Sequence, residues 1–263
     1  MNKKIKLLSS IFLSVIIFLI SCNNNVNGQH FSLKTLPPIV IKKNGAEIFQ
    51  YWEFKNDTFL WDTNFVQPSS LILYKDSLNN LLGKDTLNLI VQKLAYQDVS
   101  FKSINTDNGD NINAQLIHSK TIGTIRPINY LEAQLLDYQI GRYPLLSHPT
   151  EFHGFILLHD SLKLVKVYFA ASDQPWPPKP GVILEAVKKD LKQGWTFKYH
   201  LHNHYEPISN HYLGILAPSM TDAQYYMFLS EEYKLEESLI TNGFHTVEIK
   251  RNEFLKLITP DND

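Results

Sequence analysis

The sequence predicts an α/β fold, with a mixed sheet flanked by helices and preceded by a β-rich N-terminal region. Residues 31–125 contain short apolar and β-branched runs separated by clusters of Asn, Asp, Gly and Pro, which is typical of strands and turns. Residues 128–258 instead alternate strand-like runs with amphipathic helical patterns. The chain has 263 residues, 44% of them hydrophobic, and can therefore form a sizeable core.

The strand predictions in the N-terminal region rest on five apolar runs. These runs are "PPIVI", "EIFQYWEF", "DTFLW", "SLILY" and "LNLIVQKLAY". Their β-branched and aromatic residues suit a pleated, half-buried surface. We therefore expect strands through residues 31–125 and a different structural unit from residue 128 onwards.

The second region begins with a predicted helix, "NYLEAQLLDYQIGRYP", in which Leu131, Leu135 and Tyr138 share one face. The strand-like runs "EFHGFILLH" and "LKLVKVYFA" follow, and we expect them to form a hairpin. The run "VILEAVKKDLKQG" predicts an amphipathic helix that ends at Gly194. The remaining runs predict a strand, "WTFKYHLHNH", a helix from about Ser219, and one or two strands around the Asn-Gly turn of "ESLITNGFHTVEI".

The first 22 residues have the pattern of an export signal, with three lysines followed by a long apolar stretch. The sequence "LISC", which ends at Cys22, resembles the lipobox of a bacterial lipoprotein. That resemblance implies lipid on Cys22 and a cell-envelope location, the outer membrane being favoured because Asn23 is not an aspartate. Residues 23–30 are then a flexible tether. The alternative is an ordinary signal anchor with an incidental cysteine.

Charge and cysteine content exclude some classes of function. The chain has 25 basic and 26 acidic residues and a formal net charge of -1, so electrostatics give no reason to expect nucleic acid as a partner. A single cysteine excludes an internal disulfide. Neither the core nor a functional site therefore depends on oxidation of a cysteine pair.

The most informative segment is "YHLHNHYEPISNH", residues 199–211, which contains His200, His202, His204 and His211. Residues two apart on a strand point to the same side, so either His200 with His202 or His202 with His204 can present two imidazoles to one point. Two imidazoles suit zinc, which takes three protein ligands when it is catalytic. A third ligand must come from elsewhere in the chain.

Asp222 is the candidate third ligand, because it falls in the first turn of the next predicted helix, where its short side chain can point back at the strand end. Ser219 lies three residues earlier, in "PSMTD". The spacing Ser-x-x-Asp also matches a helix N-cap, which is the alternative interpretation of these two residues.

These motifs together resemble the JAMM (MPN-type, or JAB-domain) zinc metallopeptidases. The matching segments are "EFHGFILL" from Glu151, "HNH" from His202 to His204, and "APSMTD", which contains Ser219 and Asp222. Their order along the chain, with a helix between the hairpin and the histidine strand, is also similar to that of the family. Two departures are a longer spacer between the second histidine and the aspartate, and a tyrosine in place of the proline that usually follows the second histidine.

The resemblance covers residues 128–258 and implies a JAMM-like fold, similar to that of cytidine deaminases. It implies Zn²⁺ held by His202, His204 and Asp222, with Glu151 as the proton acceptor and Ser219 as a stabiliser of the oxyanion. The expected activity is hydrolysis of a peptide or isopeptide (amide) bond in a peptide or protein substrate. A catalytically inactive binding lipoprotein of the cell envelope with the same fold is the alternative.

Other histidines have expected roles too. We expect His148 and His153 to be hydrogen-bonded polar residues rather than ligands. His211 belongs to the longer spacer, which is expected to loop out over the site.

Overall fold

The centre of the computed structural model, which describes residues 32–96, 108–205 and 213–260, is an eight-stranded mixed sheet. Its strands are β1 (Ile39–Asn44), β2 (Glu47–Lys55), β3 (Thr124–Pro127), β4 (Phe152–His159), β5 (Leu164–Ala171), β6 (Thr196–Asn203), β7 (Glu237–Thr241) and β8 (His245–Lys250). Their order across the sheet is β1-β2-β5-β4-β6-β7-β8-β3. Only β6 and β7 are parallel neighbours, and the connection between them contains a helix, as a parallel crossover requires.

Helices lie on both faces of this sheet. The α-helices are α1 (Ser69–Leu82), α2 (Lys84–Tyr96), α3 (Gly109–His118), α4 (Tyr130–Arg142), α5 (Gly181–Leu191) and α6 (Met220–Tyr233), and 3-10 helices span Thr58–Trp61 and Arg251–Lys256. The mixed α/β architecture expected from the sequence is thus confirmed. Among the described helices, none combines the length and the apolar character needed to cross a membrane.

The face of the sheet covered by α5 and α6 contains an extensive apolar cluster. Phe155 of β4 and Phe197 of β6 are fully buried there, together with Ile183 of α5 and Tyr226 of α6. Alternation along β4 places its odd-numbered residues on this face. The β4–β6 register shifts between Ile156 and Leu157, so that Phe197 and the even-numbered residues from His200 onwards all share this face. The candidate site is on the same face, at the end of β6.

The opposite face is covered by α4. Gly154 of β4 points towards it, since a Cβ added at Gly154 would lie 3.6 Å from Leu135 of α4. The ring of Tyr138, also on α4, packs edge-on against Trp52 and Phe169, with centroid distances of 5.0 and 5.4 Å. Both faces of the central strands are consequently buried.

The predicted β-rich region over residues 31–125 is wrong for most of its length. Within the described part of this region, residues 32–96 and 108–125, the strands are β1, β2 and the start of β3, and the runs "DTFLW", "SLILY" and "LNLIVQKLAY" lie in helices. The buried residues of α1, Leu71, Tyr74 and Leu78, have helical spacing, but short apolar runs fit both periods. Pro68 directly precedes the first residue of α1 and is a typical signal for the start of a helix. The apolar residues that follow it favoured a strand instead.

The predicted boundary before residue 128 is also wrong. Strand β2 pairs with β5 along its whole length, from Ile48 opposite Ala171 to Lys55 opposite Leu164, and residues 37–263 form one compact unit. Residues 32–36 belong to a separate short unit and form a turn in which the Thr35 N–H donates to the Ser32 carbonyl. The predicted export signal and the predicted tether, residues 1–30, lie outside the described residues.

The elements predicted for residues 128–258 are all confirmed. The helix at 130–142, the β4–β5 hairpin, the helix that precedes Gly194 and the histidine strand are present, and α6 begins directly after Ser219. The Asn-Gly segment joins two antiparallel strands, β7 and β8. This region was predictable because each of its elements has a distinct period and a clear end signal.

Candidate metal centre

Strand β6 carries His200 and His202 on the face covered by α6, and His204 directly follows its last residue on the same face. His200, His202 and His204 are nine-tenths or more buried and alternate along the chain. Strand β4 is antiparallel to β6, with Phe155 opposite His200 and His153 opposite His202. Directly opposed residues point to the same side, so His153 joins the histidines of β6 on this face.

The start of α6 lies beside the end of β6. Ser219 caps the helix: its hydroxyl donates to Asp222 Oδ2 at 2.8 Å and accepts from the Asp222 N–H at 3.1 Å, while its own N–H donates to Asp222 Oδ2 at 2.9 Å. The Met220 N–H donates to Asp110 Oδ1 of α3 at 2.6 Å, which fixes the first turn from outside. These bonds hold the Asp222 carboxylate in one orientation. The N-cap interpretation of the Ser219 motif is therefore confirmed.

His202, His204 and Asp222 converge, and their donor atoms all lie within 4.8 Å of one another. The two histidine Nε2 atoms are 3.0 Å apart, His202 Nε2 is 3.5 Å from Asp222 Oδ1, and His204 Nε2 is 3.4 Å from Asp222 Oδ2. Ligands about 2.0–2.2 Å from a tetrahedral zinc ion stand roughly 3.3–3.6 Å apart. The group therefore has the spacing of a metal site, and these three side chains could hold an ion.

The far nitrogens of both imidazoles are also engaged. His204 Nδ1 lies 2.9 Å from the Ile215 carbonyl oxygen, which can only accept, so Nδ1 carries a proton and donates. His202 Nδ1 lies 3.4 Å from the hydroxyl of the buried Tyr226. Bonds of this kind orient metal-binding histidines and leave Nε2 directed at the ion. Gly214 lies against the backbone of His204, where a Cβ would overlap its carbonyl group.

Charge is distributed as a cation site requires. Burial lowers the pKa of His204. The hydrogen bond and charge of Asp222, together with the charge of Glu151, outweigh this effect and raise the pKa to about 9. Burial raises the pKa of the Asp222 carboxyl, yet His202 and His204 hold it well below its usual value. A positive charge among these three side chains is therefore stabilised by the surrounding structure.

Glu151 lies immediately before β4 and next to this group. Extending the β4–β6 register by two residues places it opposite His204, and its charge contributes to the raised pKa of His204. The side chain of Asn203 holds this end of β4, because its Oδ1 accepts from the Phe152 N–H and its Nδ2 donates to the Thr150 carbonyl, both at 3.0 Å. Glu151 is not among the three groups whose donor atoms converge. Its position is beside the three converging side chains.

The alternative pair, His200 with His202, is not the one that meets Asp222. His200 Nε2 instead lies 2.9 Å from His153 Nδ1, in a second imidazole pair beside the first. His148 lies outside the cluster, with Nε2 2.6 Å from the Asp173 carbonyl oxygen. His211 and the rest of segment 206–212 lie outside the described residues.

Four supporting residues were not identified from the sequence. They are Asn203, Gly214, Ile215 and Tyr226. Strand alternation could have linked His153 to Glu151, since the two residues share one face of β4. No local pattern marks a backbone carbonyl or a buried tyrosine as the partner of a histidine.

Comparisons with protein-family models, with curated proteins and with solved structures gave no significant match to this chain. The resemblance to the JAMM family therefore depends on the motifs themselves. The convergence of three of the motif residues in this structure is the geometric observation that bears on it.

Proposed function

We propose that this protein is a zinc-dependent hydrolase of JAMM type that cleaves a peptide or isopeptide bond. The observation that carries the proposal is the convergence of His202, His204 and Asp222, with donor atoms 3.0–3.5 Å apart at the end of β6 and the start of α6. The carboxyl end of a strand in a βαβ unit is a usual place for a site in α/β proteins. The order of the motifs along the chain, which resembles that of the JAMM family, also supports the proposal.

The donor set fits zinc. Two imidazoles and one carboxylate are a common catalytic set, and three protein ligands leave a position open. A zinc ion held there would supply a Lewis acid and a water molecule that ionises near neutral pH. The bonds of His204 to the Ile215 carbonyl and of His202 to Tyr226 would orient the ligands.

Glu151 and Ser219 complete the proposed machinery. The carboxylate of Glu151 would accept a proton from the attacking water and transfer it to the nitrogen of the departing amine. Its electrostatic effect on His204 supports a position beside the reacting atoms. The family resemblance implies an oxyanion role for Ser219. Because its hydroxyl donates to Asp222 Oδ2, Ser219 would here keep that side chain aligned.

The proposed setting is the bacterial cell envelope, with lipid on Cys22 and a peptide or protein as substrate. Replacement of Cys22 by Ser tests the anchor. We expect the wild-type protein in the membrane fraction with incorporated palmitate, and the variant without label. Equal labelling of both would contradict the lipid assignment.

The hydrolase is tested with zinc-loaded protein and a library of peptide and isopeptide substrates, with cleavage read by mass spectrometry. We expect cleavage by the wild-type protein and by His148→Gln, a matched histidine control outside the site. Glu151→Gln should bind zinc normally and cleave nothing, because it cannot accept the proton. Zinc binding without cleavage by the wild-type protein would instead favour the inactive binding lipoprotein.

A further inference from the structure

A second imidazole pair borders the candidate metal centre. His153 Nδ1 and His200 Nε2 are 2.9 Å apart, and the His153 ring centroid is 6.5 Å from that of His202. The ring of Tyr225, on α6, lies 5.6 Å from His153 and 5.3 Å from His200. The pair is thus enclosed between β4, β6 and α6, in contact with the site.

The surroundings of His200 determine which nitrogens carry protons. His200 is 1% exposed, and its Nδ1 has no hydrogen-bond partner among the residues that the structure describes. A buried N–H without an acceptor costs more than a buried lone pair without a donor. Nδ1 of His200 is therefore the unprotonated nitrogen, and the Nε2–H of His200 donates to Nδ1 of His153.

This assignment fixes His153 in turn. Because Nδ1 of His153 accepts, the neutral ring must carry its proton on Nε2. No described residue accepts a hydrogen bond from this Nε2–H, and the His153 side chain is only partly buried. His153 shares the β4 face with Glu151 and lies opposite His202. It therefore presents a free donor beside the three converging side chains.

Amide hydrolysis needs such a donor, because negative charge develops on the carbonyl oxygen as water attacks. The Ser219 hydroxyl is directed elsewhere, since it donates to Asp222 Oδ2 at 2.8 Å. The N–H of His153 has no such commitment among the described residues. A neutral imidazole can donate to the oxygen without giving up its proton.

We propose that His153 is a catalytic residue whose Nε2–H binds the substrate carbonyl oxygen, and that His200 is the positioning residue that fixes its tautomer. This inference rests on the proposed hydrolase function. It extends that function by assigning the oxyanion contact to an imidazole on β4. His153 keeps its proton throughout, so the hydrolysis remains balanced by Glu151 alone.

The first test is the tautomeric state in solution, read from the ¹⁵N shifts of the histidine rings in the zinc-loaded full chain. We expect both His153 and His200 to be neutral, with the proton on Nε2. In His200→Phe, His153 should lose this single tautomer and show a mixture. A proton on Nδ1 of His153 in the wild-type protein would overturn the assignment.

The second test measures binding of acetohydroxamate to the zinc-loaded protein by calorimetry. His153→Ala should weaken binding about tenfold, the effect of one lost hydrogen bond of about 1.4 kcal/mol, at unchanged zinc content. His153→Gln keeps a donor and should recover part of the affinity, and His148→Gln should match the wild type. Normal zinc content with unchanged affinity in His153→Ala would overturn the inference alone. Failure of the wild-type chain to bind zinc would overturn the proposed function and this inference together.

Discussion

Two imidazole pairs lie side by side on the same face of the sheet, and they differ in one neighbour. His202 and His204 meet the carboxylate of Asp222, whereas the side chains of His153 and His200 are hydrogen-bonded only to each other among the described residues. The pKa of His204 rises to about 9, because Asp222 outweighs the effect of burial. The pKa of His153 falls to about 3, because burial and the charge of His202 both lower it.

The comparison shows that strand alternation alone does not make a metal site. All four histidines satisfy the two-residue spacing or its cross-strand equivalent, and all are enclosed by the same helix. The pair beside a carboxylate favours a cation, and the pair without one remains neutral. The helix that supplies Asp222 therefore decides which pair can be the metal centre.

The largest expected effect comes from removing that carboxylate. Asp222→Ala should lower zinc affinity by more than about 100-fold, since loss of a direct ligand should exceed the 10- to 100-fold effect of losing an outer partner. Competition with a chromophoric chelator measures the affinity. His200→Gln is the matched control from the neutral pair, and it should bind zinc like the wild type. Equal losses in both variants would mean that the two pairs act as one site.

The sequence was sufficient to predict that His202, His204 and Asp222 converge, and insufficient to predict the imidazole pair beside them. Strand alternation and a helix start, both local patterns, predict Asp222 together with either His200 and His202 or His202 and His204. The spacing typical of the JAMM family favoured the second pair, which is the pair that meets Asp222 in the structure. The partnership of His153 with His200 depends on the register of β4 against β6, which no local pattern specifies. The apolar runs of α1 and α2 suit a strand as well as a helix, and it is the burial of Leu71, Tyr74 and Leu78 in α1 that has a helical period.

Gly214 lies against the backbone of His204, and its replacement by alanine is the next test. Gly214→Ala should destabilise the fold by up to about 3 kcal/mol and weaken zinc binding, because the new methyl group would overlap the carbonyl of His204. Urea unfolding of the metal-free protein measures the first effect. Gly181→Ala is the control, since a Cβ there meets nothing within 4 Å. Similar stability of both variants would show that segment 213–217 does not press on His204.

Asn203 connects the two strands that carry the site. Asn203→Ala should lower the free energy of unfolding by about 2 kcal/mol, because two hydrogen bonds at 3.0 Å worth about 1 kcal/mol each are lost. It should also reduce cleavage more than zinc binding, since the lost bonds hold the segment around Glu151. Asn80→Ala, at an exposed position on α1, is the control. A loss of zinc as large as the loss of cleavage would argue against this division of roles.

The smallest effect is expected at Tyr226. Tyr226→Phe keeps the buried ring but removes the hydroxyl that lies 3.4 Å from His202 Nδ1, so zinc affinity should fall by about tenfold. Tyr225→Phe removes a neighbouring hydroxyl that has no hydrogen-bond partner among the described residues, and it should leave the affinity unchanged. A larger loss of zinc affinity in Tyr225→Phe than in Tyr226→Phe would show that the Tyr226 hydroxyl is not the partner of His202 Nδ1.

The most direct measurement of the central claim is the zinc content of the purified chain after saturation and dialysis. We predict one zinc ion per chain for the wild-type protein and for His200→Gln, and none for His202→Ala. These values would assign the ion to the pair that faces Asp222. A wild-type protein that retains no metal, or a His202→Ala variant that retains as much as the wild type, would contradict the account.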